Sequence, residues 1–486
     1  MGVPENEGWF RSSALRLAER LRAGELTSSE LVEEHIAFIQ RVNPTLNAVV
    51  HDRFEQARAE AREADARLAG GGEDLPPFLG VPCTIKECIA FEGMPWTSGL
   101  VARRGLVAHR DAPVVERIRR AGAIPLGVTN ISELCMWMES NNHVYGRTSN
   151  PYNPAHIVGG SSGGEGAIVG SGAVPFGIGS DIGGSIRLPS FFNGIFGHKA
   201  TSRMVPVTGQ YPPAENDARL MLSAGPMTRR AEDLMPLLRI IAGPDGEDQV
   251  TVEQPLGDPG EISMRGLKVM SVTSNGLLRV SSDLRQAQGR AAATLSRLGC
   301  EVTEGRIRGL RRSFQVWSQR MSSAADTPFR THLGEGTPIS VGGELARWAV
   351  GRSVHTLPAL ALAVLEALPG VDTDDAEPVR ADIKRLRDEV VEAIGEDGVM
   401  LYPVYTRVAP RHGWPIATPF DWLYTAVINA LELPATSVPL GLDRRGLPLG
   451  LQVVGAPGQD HRTIAVALAL EEALGGWVPP WRSPVL

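Results

Sequence analysis

The stretch from residue 157 to residue 196 constrains the fold more than any other part of this chain. It reads IVGGSSGGEGAIVGSGAVPFGIGSDIGGSIRLPSFFNGIF, and its charged residues are Glu165, Asp181 and Arg187. Glycine loses more conformational entropy on folding than any other residue. A folded segment therefore retains many glycines where the backbone approaches another group closely or adopts a positive φ. Several serine hydroxyls in such an apolar, close-packed segment favour a role in chemistry over a role as a flexible linker.

The overall charge argues against a nucleic-acid or anionic-membrane surface. The chain has 48 Lys and Arg residues against 55 Asp and Glu residues, a formal net charge of −7, whereas such surfaces need a basic excess. The cysteines show neither C-x-x-C spacing nor a Cys/His ligand pattern, so we expect free structural thiols, no metal site and a cytoplasmic location. They are Cys83, Cys88, Cys135 and Cys300.

Neither a leader peptide nor a membrane span is predicted. The N-terminal residues MGVPENEGWFRSS lack the apolar core of a signal peptide, and Asn6 breaks the myristoylation pattern. The longest uncharged runs, 166–180 and 353–365, fall short of the roughly 20 residues that a bilayer needs. We therefore expect a soluble protein without stable membrane insertion.

The spacing of apolar residues predicts alternating helices and strands. Within residues 1–70, Thr27 and Glu30 form a capping box that begins one helix, Asn43-Pro44 ends it, and an Ala- and Glu-rich helix follows. This pattern predicts an α/β fold with a central mixed sheet covered by helices on both faces. Further helices are expected at 114–121, 132–139, 231–242 and 284–298, and strands at 79–86, 124–127, 267–271 and near residue 302.

We interpret the chain as one large domain. Residues 1–70 are expected to be a helical segment packed on the core, continuous with a domain that spans 71–486. Residues 243–260, which are rich in Gly, Pro and acidic residues, are interpreted as a surface connection, because the strand–helix rhythm resumes on both sides.

Three short motifs carry the candidate chemistry. They are GVPCTIK ending at Lys86, GGSSGG around Ser161 and GGSIR around Ser185. In these motifs the chain resembles the amidase signature family, whose members hydrolyse amides with a Ser-Ser-Lys triad and no cofactor. The resemblance implies an amidase-signature fold, with Ser185 as nucleophile, Ser161 as proton relay and Lys86 as base. It also implies a cis peptide bond before Ser161, and a hydrogen bond from Ser162 to the lysine.

Physical chemistry is consistent with these roles. A serine hydroxyl is a weak nucleophile until a base takes its proton. Lysine can be that base only when neutral, and desolvation at the end of an apolar strand favours the neutral form. The Ser161 hydroxyl both donates and accepts, so it can pass a proton between Ser185 and Lys86. The expected reaction passes through an acyl-enzyme intermediate and releases a carboxylic acid and either ammonia or an amine.

The residues around the nucleophile have expected supporting roles. Asp181 and Arg187 are interpreted as buried charges that orient the loop, and Glu165 as structural. Loss of one oxyanion-hole donor typically costs on the order of 100- to 1,000-fold in rate. The backbone N–H groups expected to bind the oxyanion are those of Ile182, Gly183, Gly184 and Ser185.

Longer segments resemble the fatty-acid amide hydrolase branch of the family, particularly its second human type. These segments are 144–172, 180–199, 225–234, 313–323, 353–368 and 446–457. The membrane-spanning N-terminal helix of the mammalian enzymes is not expected here. The resemblance implies an amide substrate, with lipid amides included, no nucleic acid, and a fold in which homodimers are common.

The resemblance also implies an acyl pocket, although Trp and Met side chains at helical spacing occur in ordinary cores as well. Residues 339–368 could instead form an interfacial cap, although they have little basic charge. The residues assigned to acyl binding are Met136, Trp137 and Trp422, with Trp317, Met321, Trp348, Leu357 and Tyr424 expected near them.

Other functions stay open at this point. One is an amidase for short-chain, aryl or peptide amides; another is the transamidating subunit of a tRNA-dependent amidotransferase. A third is a catalytically silent binding protein. Residues 160–164 also match G-x-S-x-G, which would make Ser162 the nucleophile of an α/β-hydrolase with His412 or His461 as base. A phosphate-binding loop is excluded because no G-K-[ST] follows.

Overall fold

A computed structural model provides the coordinates of the protein and describes residues 6–72, 74–324, 327–366 and 376–482. The strands within these ranges are β1 Val49–Asp52, β2 Pro82–Lys86, β3 Ile124–Thr129, β4 Asn141–Asn142, β5 Gly146–Arg147, β6 Phe176–Asp181, β7 Phe196–Lys199, β8 Ser223–Thr228, β9 Lys268–Ser271, β10 Glu301–Glu304, β11 Val399–Tyr402, β12 Ala435–Leu442 and β13 Pro448–Gly455.

In the described ranges, eleven strands form one sheet in the order β1-β3-β2-β6-β8-β7-β12-β13-β11-β9-β10, and β4 and β5 form a separate ribbon. The large sheet is mixed: β2 runs parallel to β3 and β6, and β9 runs parallel to β10 and β11. All residues of β2, β3, β6, β8 and β13 are buried. Because successive side chains of a strand point to opposite faces, this burial means that both faces are covered.

Helices flank this sheet, which confirms the predicted α/β class. The helices are α1 Glu7–Arg11, α2 Ala14–Arg22, α3 Ser28–Leu46, α4 Phe54–Gly70, α5 Pro113–Arg120, α6 Gly163–Gly170, α7 Arg187–Phe192, α8 Leu234–Ile241, α9 Ser282–Arg297, α10 Ser313–Ala324, α11 Phe329–Leu333, α12 Val341–Ala349, α13 Leu357–Glu366, α14 Ala376–Ile394, α15 Leu423–Ala430 and α16 Asp460–Leu474. None of those in the described ranges has the length and apolarity needed to cross a bilayer.

The N-terminal helices share hydrophobic cores with the sheet. Leu17 of α2 belongs to the same buried cluster as Ile85 of β2, and Phe38 of α3 to the same cluster as Leu126 of β3. The division of the chain at residue 70 stays a prediction. Residues 1–5 and 483–486 lie outside the described part of the chain. All four cysteines have free, buried thiols, as expected.

Two local predictions were wrong. The helix α3 does not end at Asn43-Pro44 but continues to Leu46, and the Asn43 side chain then accepts hydrogen bonds from the backbone N–H groups of Ala48 and Val49. That turn leads into strand β1, which the sequence analysis missed. The expected helix at 132–139 is a single 3-10 turn, Glu133–Cys135.

The reason for the second difference is visible in the backbone. Leu134 and Cys135 have φ angles of 51° and 61°, in the left-handed region that no helix of L-residues can continue. Leu134 is buried in a cluster with Leu333 and Ala359. Packing against sequence-distant residues therefore determines the path of this segment.

Helix α6 lies unusually close to a neighbouring loop. A Cβ atom placed on Gly164 would lie 2.3 Å from the backbone nitrogen of Asn130 and 2.7 Å from the carbonyl oxygen of Ala48. Gly164 also donates its N–H to the Asn130 carbonyl at 2.9 Å. The glycine permits this contact, because no side chain fits between the helix and the loop.

Substitution of Gly164 tests this close approach. We expect Gly164→Ala to lower the free energy of unfolding by about 1–3 kcal/mol or more, because backbone atoms must move to admit the methyl group. Urea denaturation measures the change. Gly289→Ala in α9 is the matched control: nothing lies within 4 Å of its added Cβ, so it should stabilise the protein by up to about 1 kcal/mol through helix propensity. Equal effects of the two substitutions would contradict the packing.

Candidate active site

Lys86 ends strand β2 and is completely buried. Its Nζ donates to Ser161 Oγ at 2.7 Å and to Ser180 Oγ at 2.9 Å, and lies 3.4 Å from the Ser180 carbonyl oxygen. Strands β2 and β6 are parallel neighbours, so the end of β2 meets the end of β6, where Ser180 lies. The lysine is thus held by the uncharged oxygen atoms of two serine residues.

Ser161 and Ser162 lie directly before helix α6. The peptide bond between Gly160 and Ser161 is cis, as the family resemblance implies. A Cβ on Gly160 would lie 2.2 Å from the carbonyl oxygen of Trp137, so this position is closely packed from the other side. The Ser140 hydroxyl donates to the Ser161 carbonyl at 3.1 Å. Ser161 is therefore positioned through its own backbone while its hydroxyl faces Lys86.

The expected contact between Ser162 and the lysine was wrong. The Ser162 hydroxyl instead donates to the Ser180 carbonyl at 3.3 Å, and the hydroxyl that contacts Lys86 beside Ser161 belongs to Ser180. Ser180 was not predicted from the sequence. Alternate residues of a strand share one face, so Ser180 lies on the same buried face of β6 as Ile178. A serine at such a position, near the end of an apolar strand, is the signal that could have identified it.

Ser185 lies on the loop between β6 and α7 and is 8% exposed, whereas Lys86 and Ser161 are both 0% exposed. Ser162 donates its backbone N–H to the Ser185 carbonyl at 3.3 Å, so the two serine segments are in direct contact. A substrate would reach Ser185 before it reached the other two residues.

The predicted oxyanion-binding donors differ in availability. The Gly184 N–H donates to Asp181 Oδ1 at 2.6 Å, so its assignment to the oxyanion hole was wrong for this structure. Within the described residues, the N–H groups of Ile182, Gly183 and Ser185 have no protein acceptor. Those three remain candidates for binding an oxyanion.

Asp181 and Arg187 form a fully buried ion pair, with Arg187 Nε 3.0 Å from Asp181 Oδ2. Burial alone would raise the pKa of Asp181, but the charge and hydrogen bonds of Arg187, with further bonds from Asn429 and Gly184, hold it well below its ordinary value. Arg187 also donates to Gln452 Oε1 at 2.7 Å. This supports the prediction that the pair orients the loop around Ser185.

Asn429 and Gln452 were not anticipated from the sequence. Asn429 Nδ2 donates to Asp181 Oδ1 at 2.9 Å, and both residues are completely buried. Asn429 lies in the largely apolar helix α15, and Gln452 lies in the otherwise apolar strand β13. A polar side chain within such a run is the signal that could have pointed to a buried hydrogen-bond network.

Glu165 belongs to helix α6 and lies near Lys86. Its carboxyl oxygens accept hydrogen bonds from Thr84 at 2.6 Å and Thr129 at 2.9 Å. Burial raises the pKa of Glu165 to about 8, although both threonine hydroxyls and the charge of Lys86 act in the opposite direction. The carboxyl group joins three elements of the fold, consistent with the predicted structural role.

Two tryptophans stand over the loop that contains Gly183. The rings of Trp317 and Trp422 meet edge to face with their centroids 4.5 Å apart. A Cβ on Gly183 would lie 3.1 Å from the Trp422 ring and 3.6 Å from Trp317 Nε1. Met321 follows Trp317 by one helical turn on α10 and is partly buried with it. An apolar wall therefore begins beside the candidate oxyanion site.

The other residues assigned to acyl binding have different environments. Met136 and Trp137 are partly buried. Tyr424 is a core residue, with its hydroxyl donating to the Leu278 carbonyl at 2.7 Å, so its expected place near the pocket is not supported. Trp348 is 44% exposed on α12, and Leu357 begins α13. Residues 367 and 368 of the segment 339–368 lie outside the described residues.

The alternative α/β-hydrolase triad lacks the necessary geometry. His412 Nδ1 lies 2.6 Å from Glu139 Oε1 and its Nε2 lies 2.9 Å from the Pro154 carbonyl oxygen. His461 packs beside Gly257. Ser162 is completely buried, and its hydroxyl hydrogen-bonds the backbone of Ser180.

Comparison with known proteins agrees with this description. The chain has the fold of a solved fatty acid amide hydrolase structure, with a TM-score of 0.80, 22% sequence identity and coverage of 98% of this chain and 87% of the other. It matches the amidase family over residues 30–464. The chain therefore belongs to the amidase family and is an amide-hydrolysing enzyme, which excludes the catalytically silent alternative.

Curated relatives are similar to the chain over nearly its full length. Fatty-acid amide hydrolase 2-A from Danio rerio is 45% identical over 490 residues, covering 97% of this chain and 90% of that protein. Fatty-acid amide hydrolase 2 from Homo sapiens is 43% identical over 494 residues, covering 98% of this chain and 92% of that protein.

The pKa of Glu165 makes a pH-dependent prediction. Its folded-state value of about 8 lies above its ordinary value of 4.5, so the neutral carboxyl favours folding at low pH and this advantage is lost as the pH rises. Relative to Glu165→Gln, we expect the free energy of unfolding of the wild-type protein to fall between about pH 4.5 and pH 8 and then to level off. Urea denaturation at several pH values measures this. Glu63→Gln on the exposed face of α4 is the control, and parallel curves for the wild type and Glu165→Gln would refute the assignment.

Proposed function

We propose that this amidase cleaves fatty acyl amides through an acyl-enzyme on Ser185, with Ser161 as proton relay and Lys86 as base. The observation that carries the proposal is the buried hydrogen bond of 2.7 Å between Lys86 Nζ and Ser161 Oγ. This hydrogen bond places the amine where it can exchange a proton with the Ser161 hydroxyl. The next residue, Ser162, contacts the backbone of Ser185.

The first half of the reaction acylates Ser185. Its oxygen attacks the amide carbonyl while its proton passes to Ser161, and the Ser161 proton passes to neutral Lys86. The N–H groups of Ile182, Gly183 and Ser185 would stabilise the negative oxygen of the tetrahedral intermediate. The C–N bond then breaks as the proton returns from Lys86 through Ser161 to the leaving nitrogen.

The second half uses water in place of the amine. Water attacks the ester carbonyl while Ser161 and Lys86 take its proton by the same path. The intermediate collapses, Ser185 regains its proton, and a carboxylic acid leaves. The lysine thus ends each cycle neutral.

A fatty acyl group fits the apolar wall of Trp317, Met321 and Trp422 beside Gly183. Each methylene buried against such a surface contributes about 0.8 kcal/mol. The extended similarity to the two fatty-acid amide hydrolases supports the same substrate class. Met136 and Trp137 are proposed to form a further side of the acyl site, because their segment packs on Gly160.

Substitution of each triad residue tests the chemistry. Ser185→Ala, Ser161→Ala and Lys86→Ala should each lower kcat/KM for an acyl p-nitroanilide by at least about 1,000-fold, because a triad acts as one unit. Mass spectrometry of the intact protein after rapid quenching should detect an acyl adduct in the wild type and none in Ser185→Ala. The matched controls are Ser296→Ala and Lys384→Ala, which change exposed residues. Retained activity in Ser185→Ala would disprove the mechanism.

An acyl series tests the substrate class separately. For p-nitroanilides from acetyl to octadecanoyl, we expect kcat/KM to rise by up to about fourfold for each methylene that is buried, and then to level off. Trp422→Ala should flatten this rise, because it removes part of the apolar wall. A maximum at acetyl or aryl substrates would leave the triad intact and refute the fatty acyl assignment.

A further inference from the structure

Residues 133–139, with the sequence ELCMWME, form a segment that we term the channel strip. The strip begins and ends with a buried glutamate: Glu133 is 3% exposed and Glu139 is 6% exposed. Neither carboxylate takes part in the proposed reaction. Both are bound in the same way, and this repeated arrangement points to a shared role.

Glu133 joins the strip to the chain that enters α13. His355 Nδ1 lies 2.8 Å from Glu133 Oε1, and the Thr356 N–H donates to Glu133 Oε2 at 2.7 Å. Leu134 continues this contact, since it packs in a cluster with Ala359 and Ala363 of α13. The strip and α13 are therefore held together by two hydrogen bonds and by apolar packing.

Glu139 joins the other end of the strip to a different part of the chain. His412 Nδ1 lies 2.6 Å from Glu139 Oε1, and the Gly413 N–H donates to Glu139 Oε2 at 3.0 Å. The chain continues from Gly413 through a short 3-10 turn to Trp422. In both cases one carboxyl oxygen binds a histidine and the other binds the backbone N–H of the following residue.

Between these two anchors the strip touches the catalytic segment. The carbonyl of Trp137 packs on Gly160, directly before Ser161. Any movement of the strip would therefore displace Met136 and Trp137 relative to the triad.

Regular secondary structure does little to fix the strip. Apart from one 3-10 turn it contains neither helix nor strand, and two of its residues have positive φ angles. Among the described residues, its backbone makes one hydrogen bond to another segment, from the Leu134 N–H to the Ser98 carbonyl at 2.8 Å. Side-chain contacts, including those at its two ends, therefore contribute much to its position. The two glutamates supply charged acceptors at those ends, which are stronger than neutral ones.

We propose that Glu133 and Glu139, with His355 and His412, are positioning residues that set the acyl-chain selectivity of the enzyme. They hold Met136 and Trp137 at a fixed distance from the parts of the chain that lead to α13 and to Trp422, and so maintain the width of the acyl site. This inference rests on the proposed fatty acyl function and identifies residues on which that selectivity depends.

Paired histidine substitutions test the inference. Asn can place an N–H donor close to the position of His Nδ1, whereas Leu cannot. His355→Leu and His412→Leu should each reduce the ratio of kcat/KM for decanoyl over acetyl p-nitroanilide at least about tenfold, mainly through a higher KM for the decanoyl substrate. His355→Asn and His412→Asn should restore most of the ratio. Thermal denaturation of every variant reports folding, and the partly exposed His412 provides a second test if His355→Leu does not fold.

The control is Glu471→Gln. Glu471 is a carboxylate of α16 that accepts hydrogen bonds from Arg230 and from the backbone N–H of Ala231, and it contacts neither the strip nor its two histidines. It should leave the decanoyl-to-acetyl ratio within about twofold of the wild type.

The outcomes separate this inference from the proposed function. A wild type that prefers decanoyl, with the ratio lost in the Leu variants and restored in the Asn variants, supports both. A wild type that prefers decanoyl, with Leu variants that lose activity equally on both substrates or keep the ratio, overturns the positioning role alone. A wild type without preference for the longer acyl group overturns both.

Discussion

The buried ion pair between Asp181 and Arg187 is the interaction on which the loop that contains Ser185 depends. The carboxylate accepts backbone N–H groups on both sides of Ser185, from Gly184 and Ile186, and thereby closes the loop on itself. Arg187 extends the network to Gln452, 265 residues later in the chain. Loss of either charge would leave the other buried without compensation, which typically costs about 3–5 kcal/mol. The position of Ser185 is therefore determined by contacts within its own loop and by contacts with distant parts of the sheet.

Close backbone contact is the second constraint on this site. Glycines allow α6 to approach the loop at Asn130 and allow the channel strip to contact Gly160. Ser161 can then lie within hydrogen-bonding distance of Lys86, which belongs to a different element. Such preorganisation is how an enzyme stabilises developing charge at little reorganisation cost. The glycine-rich composition of residues 157–196 is thus a consequence of packing as well as of catalysis.

Much of the site was predictable because its residues lie in short, contiguous motifs. The contexts of Lys86, Ser161 and Ser185 identified candidates that the structure brings into one region, and the role of the Asp181–Arg187 pair followed from two charges in an apolar run. The finer assignments were less reliable. Ser180 rather than Ser162 contacts the lysine, and Gly184 donates to Asp181, because the direction of a side chain or N–H group depends on strand register and loop path.

The sequence by itself determined the α/β class, the family and the candidate residues for the chemistry, because apolar periodicity and local motifs are properties of neighbouring residues. Only the tertiary structure decided which distant residues surround that chemistry. The channel strip was expected to be helical, yet packing against α13 imposes positive φ angles on it. Glu133 and Glu139 meet histidines 222 and 273 residues away in the chain. No local sequence pattern predicts these contacts. A buried charged group needs hydrogen-bond partners, and the folded chain can supply them from any part of its length.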